Sequence, residues 1–212
     1  MRRVLLALLV PCVAYARPVT VDRVVAVIET GEVGSRVSDV VTSSEIEVAA
    51  RLALVERRAA ERSVTEGLRR AVLDQLVAEV LVYREAERLA LAEVSPDDFA
   101  RGRDALAARL GGAEVLERFA ADNHLPPAEV SRLVSRRVVV ERFVQTNVRA
   151  GIEVSDEDVA REYARPDHPF VGHPLEDVRD ALRAWLVETR FRAALDRWVR
   201  ALRGRGHVRI LE

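Results

Sequence analysis

"LEDVRDALRAWLVETRFRAALDRWVRALRGRGHVRILE", Leu175–Glu212, is the stretch on which the fold turns. It reads as one long amphipathic helix followed by a short strand, yet its apolar stripe changes direction midway. Val178, Leu182, Trp185 and Leu186 form one face, whereas Phe191, Leu195, Trp198, Val199 and Leu202 form another. At about 100° per residue these faces point well over 90° apart. The helix must therefore pack against two different bodies or bend between them. "HVRILE" then alternates Val208 and Ile210, the period of a half-buried strand.

A final strand needs a partner, and the only other strong strand signals lie at the opposite end of the chain. "VDRVVAVIET" is valine-rich and apolar at nearly every position from Val24 to Ile28, "GEVGSR" is a turn, and "VSDVVT" returns as a second strand. A lone hairpin is marginal in water. The last strand is therefore expected to pair with this hairpin. The half of the last helix that bears Phe191, Leu195 and Trp198 is expected to cover the sheet, with Trp185 and Trp198 as structural anchors.

Between the two ends the period is helical. Ser44 with Glu47, and Ser63 with Glu66, have the spacing of capping boxes. The second precedes "LRRAVLDQLVAEVLVYREAERLAL", whose wide apolar stripe marks the central helix. Ser95-Pro96 opens another helix, which Gly111-Gly112 ends. "AEVLERFAADNHL" stops at Pro126-Pro127, "PAEVSRLVSRRVVVERFVQTNVRAG" is long and closed by Gly151, and "SDEDVAREYA" is a short capped helix. The expected fold class is mostly α with a small β-sheet. One stretch breaks the regularity: "YARPDHPFVGHPLEDVRD", Tyr163–Asp180, with three prolines, two histidines and a glycine.

The first sixteen residues, "MRRVLLALLVPCVAYA", have two arginines, an apolar run and a small-x-small ending at Ala16, the layout of a secretory signal peptide. The run is too short to span a membrane, and Cys12 follows Pro11 where a lipoprotein would carry a small residue. Cleavage after Ala16 leaves 212 − 16 = 196 residues without cysteine or methionine. Such a chain has no disulfide and relies on a packed core. No other segment reads as a membrane span. All 33 basic residues are arginine, and 34 interleaved acids nearly cancel them. This balance argues against nucleic-acid binding, which favours a basic surplus or a one-signed face.

The residues offer no catalytic constellation. His168 and His173 lie five apart across Pro169 and Gly172, which is not a zinc-site spacing, and read as solvated histidines. His124, beside Asn123, reads as a helix C-terminal cap. Asp97-Asp98 and Asp156-Glu157-Asp158 each follow a serine at a helix start, where acids complement the helix dipole. There is no serine elbow, phosphate loop or mature-chain cysteine nucleophile. No cofactor and no metal are expected.

Taken together, several of these stretches resemble the SurA-type periplasmic chaperones. "VDRVVAVIET" with "VVTSSEIE" is similar to the opening hairpin and capped helix of that family. "LRRAVLDQLVAEVLVYREAERLAL" with "VSPDDF" resembles its second helix and following turn. Leu175–Leu211 resembles its closing helix and strand. Glu29 stands where the family usually has asparagine, and "TGEVGSRVSD" lengthens the hairpin. Relatives also carry one or two parvulin-type prolyl isomerase domains before the closing helix. Such a domain needs roughly 90 to 100 residues, and only Glu153–Pro174 are available here. The expected organisation is a signal peptide at 1–16 and one chaperone domain at 17–212. That domain divides into an N-terminal segment (19–152), a short linker (153–174) and the closing helix and strand (175–212).

The resemblance implies a non-enzymatic, ATP-independent holdase in the periplasm, whose partners are unfolded polypeptides, outer-membrane proteins above all. Clients would be held by burying their exposed apolar and aromatic segments in a cleft. Candidate client-contacting side chains are Tyr83, Phe119, Leu125, Phe143 and Phe170. The scarcity of aromatics and methionine runs against an adaptable binding surface. Two other readings stay open: residual prolyl isomerase activity, and a structural or assembly partner that uses the long C-terminal helix.

Overall fold

The computed structural model describes residues 22–31 and 36–211. The leader at 1–16, its cleavage point and part of the hairpin turn lie outside the described residues. The described residues are mostly helical, with seven α-helices and one small antiparallel sheet. Strand β1 (Val24–Thr30) pairs with β2 (Val37–Thr42) on one side and with β3 (His207–Ile210) on the other, in the order β2-β1-β3. Ile28 stands opposite both Asp39 and Val208, so the two ends of the chain close one sheet, as their alternation predicts. Ala26 and Ile28 are fully buried on its inner face.

Helix α1 (Ser43–Glu56) follows β2 without a loop. Its cap is Thr42, boxed with Glu45, and not Ser44 with Glu47. An N-cap needs extended backbone, which the last residue of a strand supplies; Ser44 instead donates its hydroxyl to Asp22. Glu47 is then free to pair with Arg51 and with Arg69 of α2. Helix α2 (Glu66–Arg88) is capped by Thr65 instead of Ser63, for the same reason of extended backbone next to the first turn. Helix α3 (Pro96–Leu110) begins at Ser95 with Pro96 in its first turn and ends at left-handed Gly111, as expected. Helices α4 (Ala113–Asp122), α5 (Pro127–Asn147) and α6 (Asp156–Tyr163) follow. Helix α5 stops at Asn147 and passes through a 3₁₀ turn at Arg149–Gly151, so Gly151 closes the turn instead of the helix.

Helix α7 (Leu175–Arg205) is a single uninterrupted helix of 31 residues. Its two apolar faces meet two different cores. Leu182 and Leu186 pack with Val159 of α6, whereas Leu202, Trp198 and Val199 join the main core with α1, α2, α5 and the sheet. A third cluster joins Leu52 of α1 to α3, α4 and the first half of α5. The helix that covers the sheet is chiefly α2, which lies against both β1 and β2, while α7 meets β3. The expectation that Phe191, Leu195 and Trp198 supply that cover is corrected accordingly. Trp198 stacks on Phe143 of α5, and Arg149 sits 4.9 Å above the Phe191 ring. Both tryptophans are half-buried.

The proline- and histidine-rich stretch also differs from expectation. His168 is not solvated: it is 6 % exposed and is the buried polar side chain among the described residues. The Phe170 N–H donates to Nδ1 at 3.1 Å, and Nε2 lies 3.1 Å from the Tyr163 carbonyl. Nδ1 is therefore an acceptor and Nε2 carries the proton, which leaves neither nitrogen for a metal. The Tyr163 hydroxyl donates to the His173 carbonyl at 2.7 Å. Residues 153–174 thus fold back on the first half of α7.

Candidate functional site

A groove of about 640 Å³ lies between α1 and α5, floored by α2. Its apolar surface comes from Val48 and Leu52 of α1, Val72 and Leu76 of α2, Leu125 of the α4–α5 connection and Leu133 of α5. At one end it reaches Val40 and Thr42 of β2. The volume falls in the range of ordinary ligand clefts. The local cause of the groove is the breadth of the apolar stripe on α1. Ile46 and Ala50 point into the main core and Leu52 into the α3–α4 core, while Val48 packs on the edge of the latter and keeps part of its surface in the groove.

The rim is ionic, and its acids are engaged within the protein. Asp22 accepts from the Ser43 hydroxyl at 2.8 Å, from the Ser44 backbone N–H at 3.1 Å and from the Ser44 hydroxyl. The Ser44 and Thr42 hydroxyls hold its carboxyl well below the usual carboxylate range. Glu45 closes the cap of α1. Glu56 lies 2.7 Å from Arg137 and 3.7 Å from Arg109, which ties α1 to α5 and α3. Arg51 reaches Asn123 at 3.1 Å and fixes the end of α4 beside the groove. These contacts set the width of the groove, which His124 also lines beside Asn123. Among the described residues, no three His, Cys, Asp or Glu side chains converge as a metal site. What the groove can do is bury apolar side chains, at roughly 1.5–3 kcal/mol for each one fully covered.

A second depression, of about 590 Å³, lies where α7 meets β3 and is lined by Glu29, Arg203, His207 and Arg209 with Val208. Its side-chain lining is mostly charged, with Val208 as the aliphatic residue.

The five candidate client-contacting residues do not form one surface. Leu125 lines the groove. Phe119 and Phe143 are core residues, 7 % and 4 % exposed, in different clusters. Tyr83 packs against the main core, where burial and then the Glu87 carboxylate push its hydroxyl above the ordinary range. Phe170 packs beside His168 in the α6–α7 cluster. Sequence reasoning missed Val48, Leu52, Leu76 and Leu133. The available signal was on α1, whose apolar positions 46, 48, 49, 50, 52, 53, 54 and 55 cover more of the helix than a single core contact uses.

The chain is similar to a SurA chaperone. Over 164 residues it is 27% identical to Chaperone SurA of Chromohalobacter salexigens, an overlap covering 74% of this chain and 35% of that protein. The chain thus spans about a third of the length of the curated relative it matches. No family model matches it. The relationship is SurA-like at this level of identity. No described helix is long and apolar enough to cross a membrane.

Proposed function

We propose that this protein is an ATP-independent holdase, exported to the periplasm, which retains unfolded polypeptides in the α1–α5 groove without a catalytic step. Outer-membrane β-barrel proteins are the client class. The observation that carries the reading is the similarity to Chaperone SurA across 74% of the chain, joined to an open groove with an apolar strip along α1, α2 and α5 and an ionic rim. Such a groove holds any exposed apolar segment by excluding water from it, which suits many clients and requires no nucleotide.

The test is light scattering of an unfolded porin diluted from urea, without ATP. Equimolar protein should delay aggregation, and Leu76→Asp or Leu133→Asp, each placing a charge on the groove wall, should shorten the delay. No delay at several-fold excess would move the reading to a structural partner protein. Refolding of a proline-limited substrate should proceed at its uncatalysed rate, tens to hundreds of seconds. Acceleration proportional to protein concentration would establish an isomerase instead. Intact mass from the periplasmic fraction should correspond to a chain beginning at Arg17.

A further inference from the structure

We propose that the groove takes its occupant as an added β-strand: an extended, unfolded polypeptide segment pairs along the outer edge of β2 and runs on into the groove. This rests on the holdase reading above and specifies how the client is gripped.

Strand β2 is at the edge of the sheet, since the order is β2-β1-β3. Among the described residues, the backbone groups of Val37–Val41 have β1 as their only backbone partner. An edge of this kind presents alternate N–H and C=O groups to any chain that can lie flat beside it. Val37 and Val40 on this strand are 42 % and 49 % exposed, and Val40 and Thr42 also line the groove. The free edge and the apolar cleft are therefore one continuous surface. Main-chain pairing supplies affinity regardless of sequence, and alternate side chains of the guest find the apolar floor.

The other edge, β3, is four residues long and flanked by Arg203, Arg205 and Arg209. Short length and charge are the usual protection of an edge against pairing; β2 is longer, and its one charge, Asp39, is neutralised by Arg84 while Val37 and Val40 stay exposed. A second copy of this chain fits less well than a client. Its own β2 ends at Thr42, where α1 begins at the next residue. A copy paired there could not continue as an extended strand into the groove.

The test uses a fluorescent ten-residue peptide of alternating valine and threonine with the full-length protein. Two N-methylated versions block either the odd or the even backbone N–H groups. One pattern should weaken binding by roughly tenfold or more, the other by less than about threefold, because only one set of N–H groups faces β2. Hydrogen exchange should show alternate amides within Val37–Val41 gaining protection when the unmodified peptide is bound. Val40→Lys, at an exposed position, should weaken the peptide without lowering the urea midpoint. Equal tolerance of both methylation patterns, with binding still sensitive to Leu76→Asp, would overturn strand addition and leave the holdase reading intact. Failure of every peptide to bind, together with no delay of porin aggregation, would overturn both. A dimer in sedimentation that Val40→Lys dissociates would assign the edge to a second copy and overturn the proposal.

Discussion

Phe143 of α5 and Trp198 of α7 stack with ring centroids 5.5 Å apart and planes inclined by 21°. Their sequence separation of 55 residues joins the middle of the chain to its closing helix, and the pair sits in the same cluster as Ile28 and Val77. Phe143 is fully enclosed, whereas Trp198 keeps one edge in solvent. Trp198→Ala should therefore cost about 2–3 kcal/mol, below the ~3–5 kcal/mol of a fully buried aromatic. Trp198→Phe should restore about half. Urea denaturation gives the values; a loss under about 1 kcal/mol would show that the stack contributes little to the main core.

Gly102 makes the close crossing of α3 and α5 possible. A Cβ at this position would collide with Val138 Cγ2 and lie 3.5 Å from Val134 Cγ1. Alanine raises helix propensity by about 1 kcal/mol, but overpacking costs roughly 1–3 kcal/mol, and valine is stiff at χ1 and cannot turn away cheaply. Gly102→Ala should be neutral to destabilising by about 2 kcal/mol, and Gly102→Ala with Val138→Ala should recover stability relative to Val138→Ala alone. A stabilised single variant would mean that the helices part without penalty.

Periodicity made the outline legible. The two stripes on α7 predicted two partners for one helix, and the alternation of Val208 and Ile210 predicted the third strand. Features that depend on competition between nearby polar groups were not legible. Ser44 and Thr42 are both good caps on sequence, and Asp22, 22 positions from Ser44, decides between them. His168 looked like a solvated residue because proline and glycine surround it. Its burial depends on Tyr163 and Phe170 closing around the ring, a tertiary event. The groove was hidden for a related reason: Val48 and Leu133 read as core positions and do pack on the α3–α4 core, and only the crossing of α1 and α5 leaves part of each facing the groove.

Asp158 ties α6 to α7. Its carboxylate lies 3.0 Å from Arg190 and 3.1 Å from Arg161 and accepts from the Ser155 backbone N–H at 3.1 Å. Arg190 first, then the Ser155 backbone, hold its carboxyl well below the ordinary value of 3.8. A lowered folded-state value means that the stabilisation is complete above the ordinary value and is lost as pH falls toward the folded one. Glu85, Glu188 and Asp98 are lowered as well and act in the same sense. The urea midpoint should be flat from about pH 7 to about pH 5 and fall below about pH 4. Asp158→Asn should lower the plateau and make the fall shallower. Parallel curves for the two proteins would show that Asp158 has no part in the acid loss.

His168 closes the α6–α7 cluster with both ring nitrogens engaged. Replacement by alanine leaves a part-buried carbonyl and a part-buried N–H without their partner, at no more than about 1–3 kcal/mol each. His168→Ala should speed hydrogen exchange across Tyr163–Leu175 and leave β1 and α2 unchanged, because those belong to a separate cluster. His168→Asn, which keeps a donor and an acceptor, should fall between the two. Uniform loss of protection through the whole chain would show that the two cores unfold as one.

Strand β3 contributes to stability through its partner more than through its own side chains. His207, Arg209 and Ile210 are exposed, and Val208 alone is half-buried. Their pairing nevertheless completes the hydrogen bonding of β1 from Ala26 to Glu29, and the Leu211 N–H donates to the Val25 carbonyl at 2.7 Å. Truncation after Arg205 would leave that edge of β1 open beside Ala26 and Ile28, both fully buried in the intact protein. The backbone bonds lost are worth about 0.5–1.5 kcal/mol each, so a cost of roughly 2–4 kcal/mol is expected from a segment that looks like a frayed tail by exposure. A three-stranded sheet under α2 would also revert to a hairpin, which is marginal by itself. The shortened protein should therefore lose hydrogen-exchange protection in β2 as well as in β1, although β2 never touches β3. Equal urea midpoints for the full chain and the truncated one would mean that the hairpin is held by α2 alone, and that the pairing of the two chain ends is incidental to the fold.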